Sequence, residues 1–348
     1  MARIILARGC RGGIVRKLQV ALAASGYYTG GIDGAYGGGT ERAVAALQRA
    51  KRLAVTGTVD ETTWQSATAA PLPSVAERCL QLTAAFEGHG FSIVQGNFDG
   101  AWLTWGIIGF TLKFGGIQKI VLQTWQLDPN TVRAAIGERT NELIGLMARN
   151  SGQELQRWAD AISVPPSKAP VIEPWRSSFM RLGESPLVQQ IQLQHAMQAY
   201  FDPCLQTAAK YNLRTELGIA LAFDIHVQNG RVKSEAHAEI VRRIGADFAK
   251  QREPLRREVI ANAVANSASK PYREDVRSRK LTLATGSGTV HGEFFKVASW
   301  GLGEYAAVGR SGVPANTGTR AHRAPSPAAK TPGHRTTDLQ PAKRKRAK

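Results

Sequence analysis

The sequence has few cysteines, few acidic residues and no long apolar run, and each shortage argues against a class of protein. The cysteines form no C-x-x-C pair and leave room for at most one disulfide bond, which argues against a disulfide framework; they are Cys10, Cys79 and Cys204. The most apolar window, residues 102–117, is shorter than a bilayer crossing requires and contains Lys113. We therefore predict no transmembrane helix.

The first residues argue against export through the Sec pathway. Residues 1–7 are mostly apolar, but Arg8 and Arg11 follow at once and leave the apolar stretch too short for a signal peptide. We expect a chain that is made in the cytoplasm without a Sec signal.

Basic residues outnumber acidic residues by 45 to 27, and the formal net charge is +18. Such a surface attracts polyanions, including nucleic acid, anionic lipid and the anionic polymers of bacterial envelopes, and charge alone does not choose among them. Part of the excess lies in residues 309–348, where Asp338 is the single acid among many Lys and Arg. Because this segment is also rich in Pro, Ala, Thr and Gly, we predict a disordered basic tail that contacts anionic envelope components.

A weak internal repeat occupies the first part of the chain. The pattern Val15-x-x-Leu18-Gln19 recurs as Val44-x-x-Leu47-Gln48. In each copy the apolar residues share one helical face, so two short helices can bury a small core between them. A threonine follows each turn, and we predict Thr40 and Thr63 as helix N-caps.

These residues resemble the three-helix peptidoglycan-binding domain of phage endolysins and bacterial wall hydrolases. The motifs that carry the resemblance are Val15-x-x-Leu18-Gln19, Gly26-Tyr27-Tyr28-x-Gly30, Asp33-Gly34-x-Tyr36-Gly37, Thr40-x-x-Ala43-Val44, Gln48, Gly57-x-Val59-Asp60 and Thr63-Trp64. The resemblance implies a shallow groove that docks wall glycan or stem peptide, with Tyr28, Asp33 and Tyr36 as candidate contacts. The alternative is a small helical adaptor without a ligand, because most of these positions suit a core or a turn.

We predict four segments: a peptidoglycan-binding domain at 1–68, a linker at 69–74, a catalytic domain at 75–308 and the tail at 309–348. Ser74 and Glu77 form a predicted capping box that opens a helix ending at Glu87. Short alternating and glycine-broken pieces from 91 to 110 predict a hairpin or small sheet. Helical patterns follow, at 117–126, 129–147, 152–161, 186–210 with a break at Pro203, 215–227, 234–266 with a break at Pro254, and 272–283. The predicted fold class is mainly α (α+β), a three-helix module followed by a predominantly helical domain with a small sheet.

Two carboxylates in the second domain have the positions that glycoside hydrolysis needs. One carboxylic acid must protonate the leaving oxygen, while a second carboxylate activates water or stabilises the oxocarbenium ion. Glu87 ends a helix beside Phe86 and near Phe91 and Phe98, and apolar surroundings would keep it protonated. Asp99 lies in a wetter turn. Without further context, a lone glutamate at a helix end is more often a solvated surface charge.

The surrounding motif supplies that context. Glu87 is followed by Asp99-Gly100-x-x-x-Thr104-x-Gly106-Ile107-Ile108-Gly109-Phe110. This pattern resembles glycoside hydrolase family 46, the chitosanases of the lysozyme superfamily. The resemblance implies an inverting reaction in which Glu87 is the general acid, Asp99 is the base and Thr104 helps to hold the attacking water.

A second segment carries a weaker resemblance to the same family. Residues 222–230 read Ala-Phe-Asp-Ile-His-Val-Gln-Asn-Gly. In the family, the helix with this Asp links two arginines to the catalytic Glu, and the role carries onto Asp224. Order and approximate spacing give Arg257 and Arg273 as the candidate arginines. The alternative for Asp224 is a helical carboxylate paired with any nearby Arg.

The chain also departs from the chitosanase pattern. The stretch between Glu87 and Asp99 is shorter than in that family, which makes Asp99 less secure as the base. Chitosan is cationic, whereas this chain is strongly basic and carries a wall-binding motif. We therefore expect a muramidase that cleaves the β-1,4 bond between N-acetylmuramic acid and N-acetylglucosamine, in the periplasm or cell wall.

Substrate contacts and cofactors follow from the remaining residues. Trp102 and Trp105 are candidates for stacking on sugar rings, although aromatics at such positions more often belong to a core. The sequence contains no H-E-x-x-H, G-x-S-x-G or Walker motif and no histidines at metal spacing, so we predict no metal and no cofactor.

Several alternatives stay open at this point. A chitosanase with an accessory module and a non-catalytic wall-binding protein both fit the motifs. A lytic transglycosylase, which can work with a single Glu, also belongs to the superfamily. Without a Sec signal, the chain fits a phage endolysin released through a holin or a type VI secretion effector, and the effector would need an immunity protein.

Overall fold

A computed structural model describes residues 3–88 and 90–307, which form part of one compact unit. Most of these residues are helical. The α-helices within them are α1 (Gly13–Ala24), α2 (Gly38–Ala50), α3 (Glu61–Thr68), α4 (Val75–Glu87), α5 (Gly116–Leu127), α6 (Pro129–Ile136), α7 (Thr140–Arg149), α8 (Gly152–Ile162), α9 (Trp175–Glu184), α10 (Pro186–Ala196), α11 (Asp202–Lys210), α12 (Glu216–Asn229), α13 (Ser234–Ile244), α14 (Glu253–Asn266) and α15 (Arg273–Thr285).

Short antiparallel strands form three small sheets in the described residues. The strands are β1 (Ile4–Leu6), β2 (Val59–Asp60), β3 (Val94–Gln95), β4 (Thr104–Trp105), β5 (Phe110–Thr111), β6 (Ser287–Val290) and β7 (Glu293–Lys296). β1 pairs with β2, β3–β4–β5 form a sheet in that order, and β6 pairs with β7. The predicted fold class, mainly helical with a small sheet, is confirmed.

The predicted helices differ from the observed ones where local chemistry intervenes. The helix predicted at 129–147 is divided at Gly137, which takes a φ of 72°. The one predicted at 186–210 contains a π-helical turn, Met197–Phe201, between α10 and α11. α9 and the β6–β7 hairpin were not predicted.

The first three helices form a small module around a core that the repeat predicts. Leu18 of α1 and Leu47 of α2 are fully or almost fully buried. The glutamine after each leucine organises the turn that follows it: the Gln19 amide bonds Gly34 N and Asp33 Oδ1, and the Gln48 amide bonds Gly57 N and Thr58 O. The sequence repeat is therefore also a repeat of structure.

The predicted threonine caps are wrong. Thr40 lies inside α2, whose N-cap is Gly37, and its hydroxyl accepts a hydrogen bond from Gln19. Thr63 lies inside α3, where its backbone N–H donates to the N-cap, Asp60. Both hydroxyls are buried and bonded to the repeated glutamines, so each threonine serves the core of the module rather than a helix end.

The three-helix module packs directly against the rest of the chain. Ala7 N donates to Ser299 O at 3.0 Å, and Ile14 N donates to the buried Gln81 side chain of α4 at 2.8 Å. Arg11 pairs with Glu293 of β7 at 2.6 Å. The 69–74 connector is also pinned, because the Trp64 indole donates to its carbonyl groups.

α4 connects this junction to the first of the two carboxylates. Its start is the predicted capping box, in which the Ser74 hydroxyl accepts from Glu77 N and the Glu77 carboxylate accepts from Ser74 N. The middle of the helix is buried on almost every side. It ends at Glu87, since Gly88 adopts a left-handed conformation with a φ of 64° that glycine takes without strain.

Candidate active site

Glu87 projects from the end of α4 and ends a buried network of charges. Its side chain is 24% exposed, and its Oε1 lies 2.6 Å from Nη2 of Arg279, which is 1% exposed. The same guanidinium contacts Asp224 of α12 at 2.7 Å, and Lys280 contacts the other oxygen of Asp224 at 2.5 Å. Glu87 is thus the solvent-accessible member of a set of two carboxylates and two cations.

The network contains two carboxylates and two cations, so its charges balance when Glu87 is counted. Burial alone would raise the pKa of Asp224, but the charges of Arg279 and Lys280 outweigh burial and lower it to about 2. The two carboxylates raise the pKa of Arg279 against the effect of burial. Asp224 is one carboxylate between two cations, so Glu87 faces a group of buried side chains with one net positive charge.

The surroundings of Glu87 differ from the apolar pocket that the sequence predicts. Phe86 is buried in the core, with its ring against Phe295 and the Arg279 guanidinium, and so does not cover the carboxylate. Phe98 is 48% exposed and so is not part of a buried apolar pocket. The Glu87 carboxylate is instead held by its ion pair with Arg279.

The structure brings Asp224 and Glu87 onto one guanidinium, but the predicted arginines are wrong. Arg257 pairs with Glu304 and with Glu253, and neither glutamate belongs to the network around Asp224. Arg273 donates only to the Ala268 carbonyl among the described residues. Spacing alone pointed to these positions, whereas α15 places Arg279 and Lys280 next to α12.

A second set of hydrogen bonds ties the network back to the end of α4. Lys280 donates to Gln228 at 2.5 Å, and Gln228 donates to Asp275 at 2.9 Å. Asp275 bonds His291 Nε2 at 2.5 Å, and His291 Nδ1 bonds the Phe86 carbonyl at 3.0 Å. These contacts return to α4 at Phe86, the residue before Glu87, and so form a closed circuit of hydrogen bonds and ion pairs that begins and ends at the C-terminus of α4.

The last turn of α4 also receives a cation from the N-terminal module. Arg11 Nη2 donates to the Ala85 carbonyl at 3.0 Å, next to the Phe86 carbonyl that His291 holds. Positive groups at the C-terminus of a helix satisfy its unpaired carbonyls and oppose the negative end of its dipole. The backbone that carries Glu87 is therefore held from two sides.

Asp99 lies in an exposed turn that hydrogen bonds from uncharged donors hold in place. Its carboxylate accepts from Ala101 N at 3.0 Å. Asn97 anchors the turn, because its backbone N–H donates to Ser163 at 2.9 Å and its side chain donates to Asp160 at 2.9 Å. The carboxylate of Asp99 thus faces solvent, as the sequence predicts for the wetter of the two acids.

Thr104 is the central residue of the β3–β4–β5 sheet. It pairs with Gln95 on β3 and with Thr111 on β5. The residue is 9% exposed, and its hydroxyl has no hydrogen-bond partner within residues 3–88 and 90–307. A buried hydroxyl without a protein partner is a suitable contact for a water molecule.

The two predicted sugar-stacking tryptophans have different environments. Trp105 is fully buried, its indole N–H donates to the Phe179 carbonyl, and its ring packs on that phenylalanine. Its assignment to substrate binding is wrong. Trp102 is half-buried, lies two residues before β4 and has a φ of 71°. It stays a candidate for stacking on a sugar ring.

The predicted contacts of the N-terminal module divide in the same way. Tyr36 is 2% exposed and its hydroxyl donates to the Gly57 carbonyl, so it is a core residue and its assignment to the groove is wrong. Tyr28 is half-buried and donates to the Gly31 carbonyl. Asp33 is exposed, with its carboxylate bonded to Gln19 and Ala35 N. Tyr28 and Asp33 stay candidates.

Two side chains near the site were missed by sequence reasoning. Tyr200 lies on the π-helical turn, where burial raises the pKa of its phenol and the negative charge of Glu87 raises it further. Gln192 is fully buried and bridges the Phe91 carbonyl to Ile107 N, which fixes the segment after Glu87 to the segment after β4. π-helical turns often occur at functional sites, but no sequence signal marks this one.

Among the described residues no cluster of His, Cys, Asp and Glu could hold a metal ion. In the same residues no helix is long and apolar enough to cross a membrane. The three cysteines are free and buried. The predicted tail at 309–348 lies outside the described residues.

Comparison with known proteins gives one family match and several structural likenesses. Residues 11–66 match the family described as "Putative peptidoglycan binding domain". The structure of a chitosanase from Bacillus subtilis MY002 is 16% identical with a TM-score of 0.45, covering 61% of this chain and 88% of that chain. A GH46 chitosanase from Gynuella sunshinyii, in complex with chitotetraose, is 16% identical with a TM-score of 0.46, covering 65% and 98%.

Among curated proteins, none matches this chain. The family match at residues 11–66 covers α1 to α3. The N-terminal segment is thus confirmed as a member of the peptidoglycan-binding family that its motifs predict.

Proposed function

We propose that this protein is a peptidoglycan hydrolase in which Glu87 is the general acid. The observation that carries the proposal is the partly exposed carboxylate at the end of a buried charge network, Glu87–Arg279–Asp224–Lys280. Buried ion pairs cost desolvation and add little stability compared with apolar packing, so such a network is a feature of function more often than of fold. The resemblance of residues 87–110 to family 46 supports the same role.

In the proposed reaction Glu87 donates a proton to the glycosidic oxygen as the bond to the sugar breaks. Asp99 removes a proton from the water that attacks the opposite face of the sugar ring. The unpartnered hydroxyl of Thr104 holds that water, and the anomeric configuration is inverted. Arg279 keeps the Glu87 side chain in one orientation through the reaction.

The N-terminal module supports peptidoglycan as the substrate and the wall as the partner. We assign residues 1–68 to wall binding, 69–74 to the connector, 75–308 to catalysis and 309–348 to a basic tail that contacts anionic envelope polymers. The bond cleaved is the one between N-acetylmuramic acid and N-acetylglucosamine. The net charge of +18 favours an anionic wall over cationic chitosan.

The protein would act in the periplasm or cell wall, as an endolysin or as a secreted effector. These two routes differ in one partner, because an effector requires a small inhibitor that protects the producing cell. Co-expression with the product of the neighbouring gene, followed by copurification, separates them. A tight complex supports the effector, and lysis only in the presence of a holin supports the endolysin.

The experiment that tests the proposal is mass spectrometry of peptidoglycan digested by the purified protein. We expect muropeptides with a reducing N-acetylmuramic acid end from the wild type, and none from Glu87→Gln. An anhydro end would identify a lytic transglycosylase instead. Undiminished digestion by Glu87→Gln would show that Glu87 is not the acid.

A chitosanase is the second candidate, because residues 87–110 resemble that family. Release of reducing ends from chitosan and from peptidoglycan, measured side by side, separates the two. Faster release from chitosan would reverse the assignment of substrate and leave the role of Glu87 intact.

A further inference from the structure

Arg11 lies in a backbone segment that is fixed to the framework of the N-terminal module. It pairs with Ala35 as an isolated antiparallel bridge, and the next residue, Gly12, donates its backbone N–H to Gly34 O at 2.8 Å. The backbone of Arg11 is thus bonded to the turn of the module at 33–35. Neither the motifs nor the family match, which begins at this residue, gives the arginine a role.

The side chain of Arg11 leaves the module and contacts two elements of the second domain. Its Nη1 and Nη2 donate to the two carboxylate oxygens of Glu293 on β7, at 2.6 and 2.8 Å. Nη2 also donates to the Ala85 carbonyl of α4 at 3.0 Å. A bidentate pair fixes the plane of a guanidinium group. The pair with Glu293 therefore holds Nη2 in place toward the last turn of α4.

The last turn of α4 needs a donor of this kind. Carbonyl groups at the C-terminus of a helix have no partner within the helix. Gly88 N reaches the Ala85 carbonyl at 3.4 Å, which is a long hydrogen bond, whereas Arg11 reaches it at 3.0 Å. Ala85 lies two residues before Glu87. The bond from Arg11 therefore restrains the backbone from which the proposed acid projects.

Arg11 also reaches the partner of the acid through a series of aromatic contacts. Its Cζ lies 5.6 Å from the centre of the Phe295 ring, and Phe295 meets Phe86 edge to face with ring centres 4.8 Å apart. The Cζ of Arg279 lies 5.5 Å from the centre of the Phe86 ring. Contacts between a guanidinium and an aromatic face are attractive. Arg11 thus supports the rings that carry the guanidinium to which Glu87 is bonded.

We propose that Arg11 is a positioning residue for Glu87, so that the N-terminal module is part of the catalytic apparatus as well as the proposed anchor. The proposal rests on the proposed function, in which Glu87 is the general acid. An acid must lie within hydrogen-bond distance of the oxygen that it protonates. A displacement of about 1 Å lowers the rate by about 10²-fold. Arg11 prevents such a displacement through Ala85 and Phe295 and does not contact the substrate itself.

The first test compares the kinetics of two arginine variants of the full chain. The substrate is a soluble peptidoglycan tetrasaccharide, which is cleaved without attachment to the wall. Arg11→Met should lower kcat by about 10- to 100-fold and leave KM unchanged, because the acid is misplaced while the sugar still binds. The control, Arg8→Met, removes the same charge from a side chain that pairs with Glu41 inside the module, and kcat should stay at the wild-type value.

A conservative variant separates hydrogen bonding from packing. Arg11→Lys keeps the charge but lacks the planar fork that reaches Glu293 and Ala85 together. We expect its kcat to lie between those of wild type and Arg11→Met, again with KM unchanged. This variant also decides the question if Arg11→Met does not fold. A kcat equal to that of the wild type in Arg11→Lys and in any folded Arg11→Met overturns the proposal.

Amide hydrogen exchange gives a second measurement that does not depend on activity. Arg11→Met should speed exchange at residues 85–88 by about tenfold and leave the start of α4 unchanged, since the capping box at Ser74 holds that end. Arg8→Met should change neither end. Unchanged exchange at residues 85–88 in Arg11→Met overturns the proposal, because the bond then does not restrain the helix end.

These outcomes are distinct from a failure of the proposed function. A rise in KM with unchanged kcat in Arg11→Met would overturn the positioning role alone, because Arg11 would then bind substrate. Cleavage that is absent in the wild type, or that survives Glu87→Gln, would overturn the proposed acid. Exchange at residues 85–88 would in that case still show whether Arg11 holds the end of α4.

Discussion

Glu87 and Asp99, the proposed acid and base, are held in place by different kinds of contact. Glu87 ends a chain of charges that is almost completely buried, and the last turn of its helix is bonded by Arg11 and His291. Asp99 lies in an exposed turn that Asn97 ties to neighbouring segments through neutral donors. The acid side, which is Glu87 with its charge network, is held by buried contacts. The base side, which is the turn that carries Asp99, is held by contacts at the surface.

This difference predicts which mutations should lower the free energy of unfolding and which should lower activity alone. A charge buried without its partner keeps the full cost of desolvation, so changes on the acid side affect both fold and activity. Ion pairs on the surface are screened by water and contribute little to stability. Changes on the base side should therefore affect activity with little change in the free energy of unfolding.

The largest expected effect comes from the two carboxylates themselves. Glu87→Gln should lower kcat by about 10³- to 10⁴-fold, and Asp99→Asn by about 10²- to 10³-fold, because general acid and base catalysis contribute on this scale. Reducing-end release from purified peptidoglycan measures both. Sodium azide attacks the anomeric carbon without a base, so it should restore bond cleavage in Asp99→Gly, with a glycosyl azide as the product that mass spectrometry detects, and should not restore Glu87→Gln. Asp99 is not the base if its replacement leaves kcat unchanged.

The next largest effect is on stability, and it contrasts the two sides directly. Asp224→Asn leaves the two buried cations Arg279 and Lys280 with Glu87 as the one carboxylate of the network, and we expect the free energy of unfolding to fall by about 3–5 kcal/mol. Asp160→Asn, on the base side, breaks a partly exposed pair with Lys168 and should cost at most about 1 kcal/mol. Urea denaturation measures both values. Equal losses would remove the contrast.

Acid unfolding sharpens the same contrast through the pKa of Asp224. This pKa is about 2 in the folded state and near 3.8 in the unfolded chain, so the unfolded state binds the proton more readily. The contribution is complete above pH 4 and is lost as the pH falls through 2. The stability difference between wild type and Asp224→Asn should therefore shrink by about 2 kcal/mol between pH 5 and pH 2. A difference independent of pH would show that Asp224 is not held as a carboxylate.

The smallest effect concerns His291, which contacts the acid side through the Phe86 carbonyl and through Asp275 but does not contact Glu87 itself. His291→Ala removes the bonds to Phe86 O and Asp275, and we expect kcat to fall about tenfold with about 1 kcal/mol lost in stability. His237→Ala, which removes a histidine bonded to Tyr211 elsewhere in the fold, should leave kcat unchanged. Equal kcat values in both variants would show that the circuit does not position Glu87.

The sequence predicted those features that depend on neighbouring residues. The capping box of Ser74 and Glu77, the end of α4 at Glu87 and the repeated glutamines of the module are local patterns, and the structure contains each of them. The wrong assignments depended on packing. Tyr36 and Trp105 have the residue type of ligand contacts, but both are in the core.

The partners of Asp224 show the same limit in another form. Any of several arginines after α12 could satisfy a rule of order and spacing. The choice depends on how α15 crosses α12, which brings Arg279 and Lys280 to the buried carboxylate. Crossing angles depend on the packing of whole helix faces, and no short motif records them.

The bond from Arg11 to the Ala85 carbonyl joins the N-terminal module, the proposed wall-binding part, to the helix of the proposed acid. A binding domain on a flexible tether lets its enzyme search a volume that grows with tether length, so cuts fall at many distances from the anchor. Here the proposed anchor and the proposed acid belong to one compact unit. Such a protein would cut the glycan at a constant distance from each point of attachment, and the fragments would have a narrow size distribution.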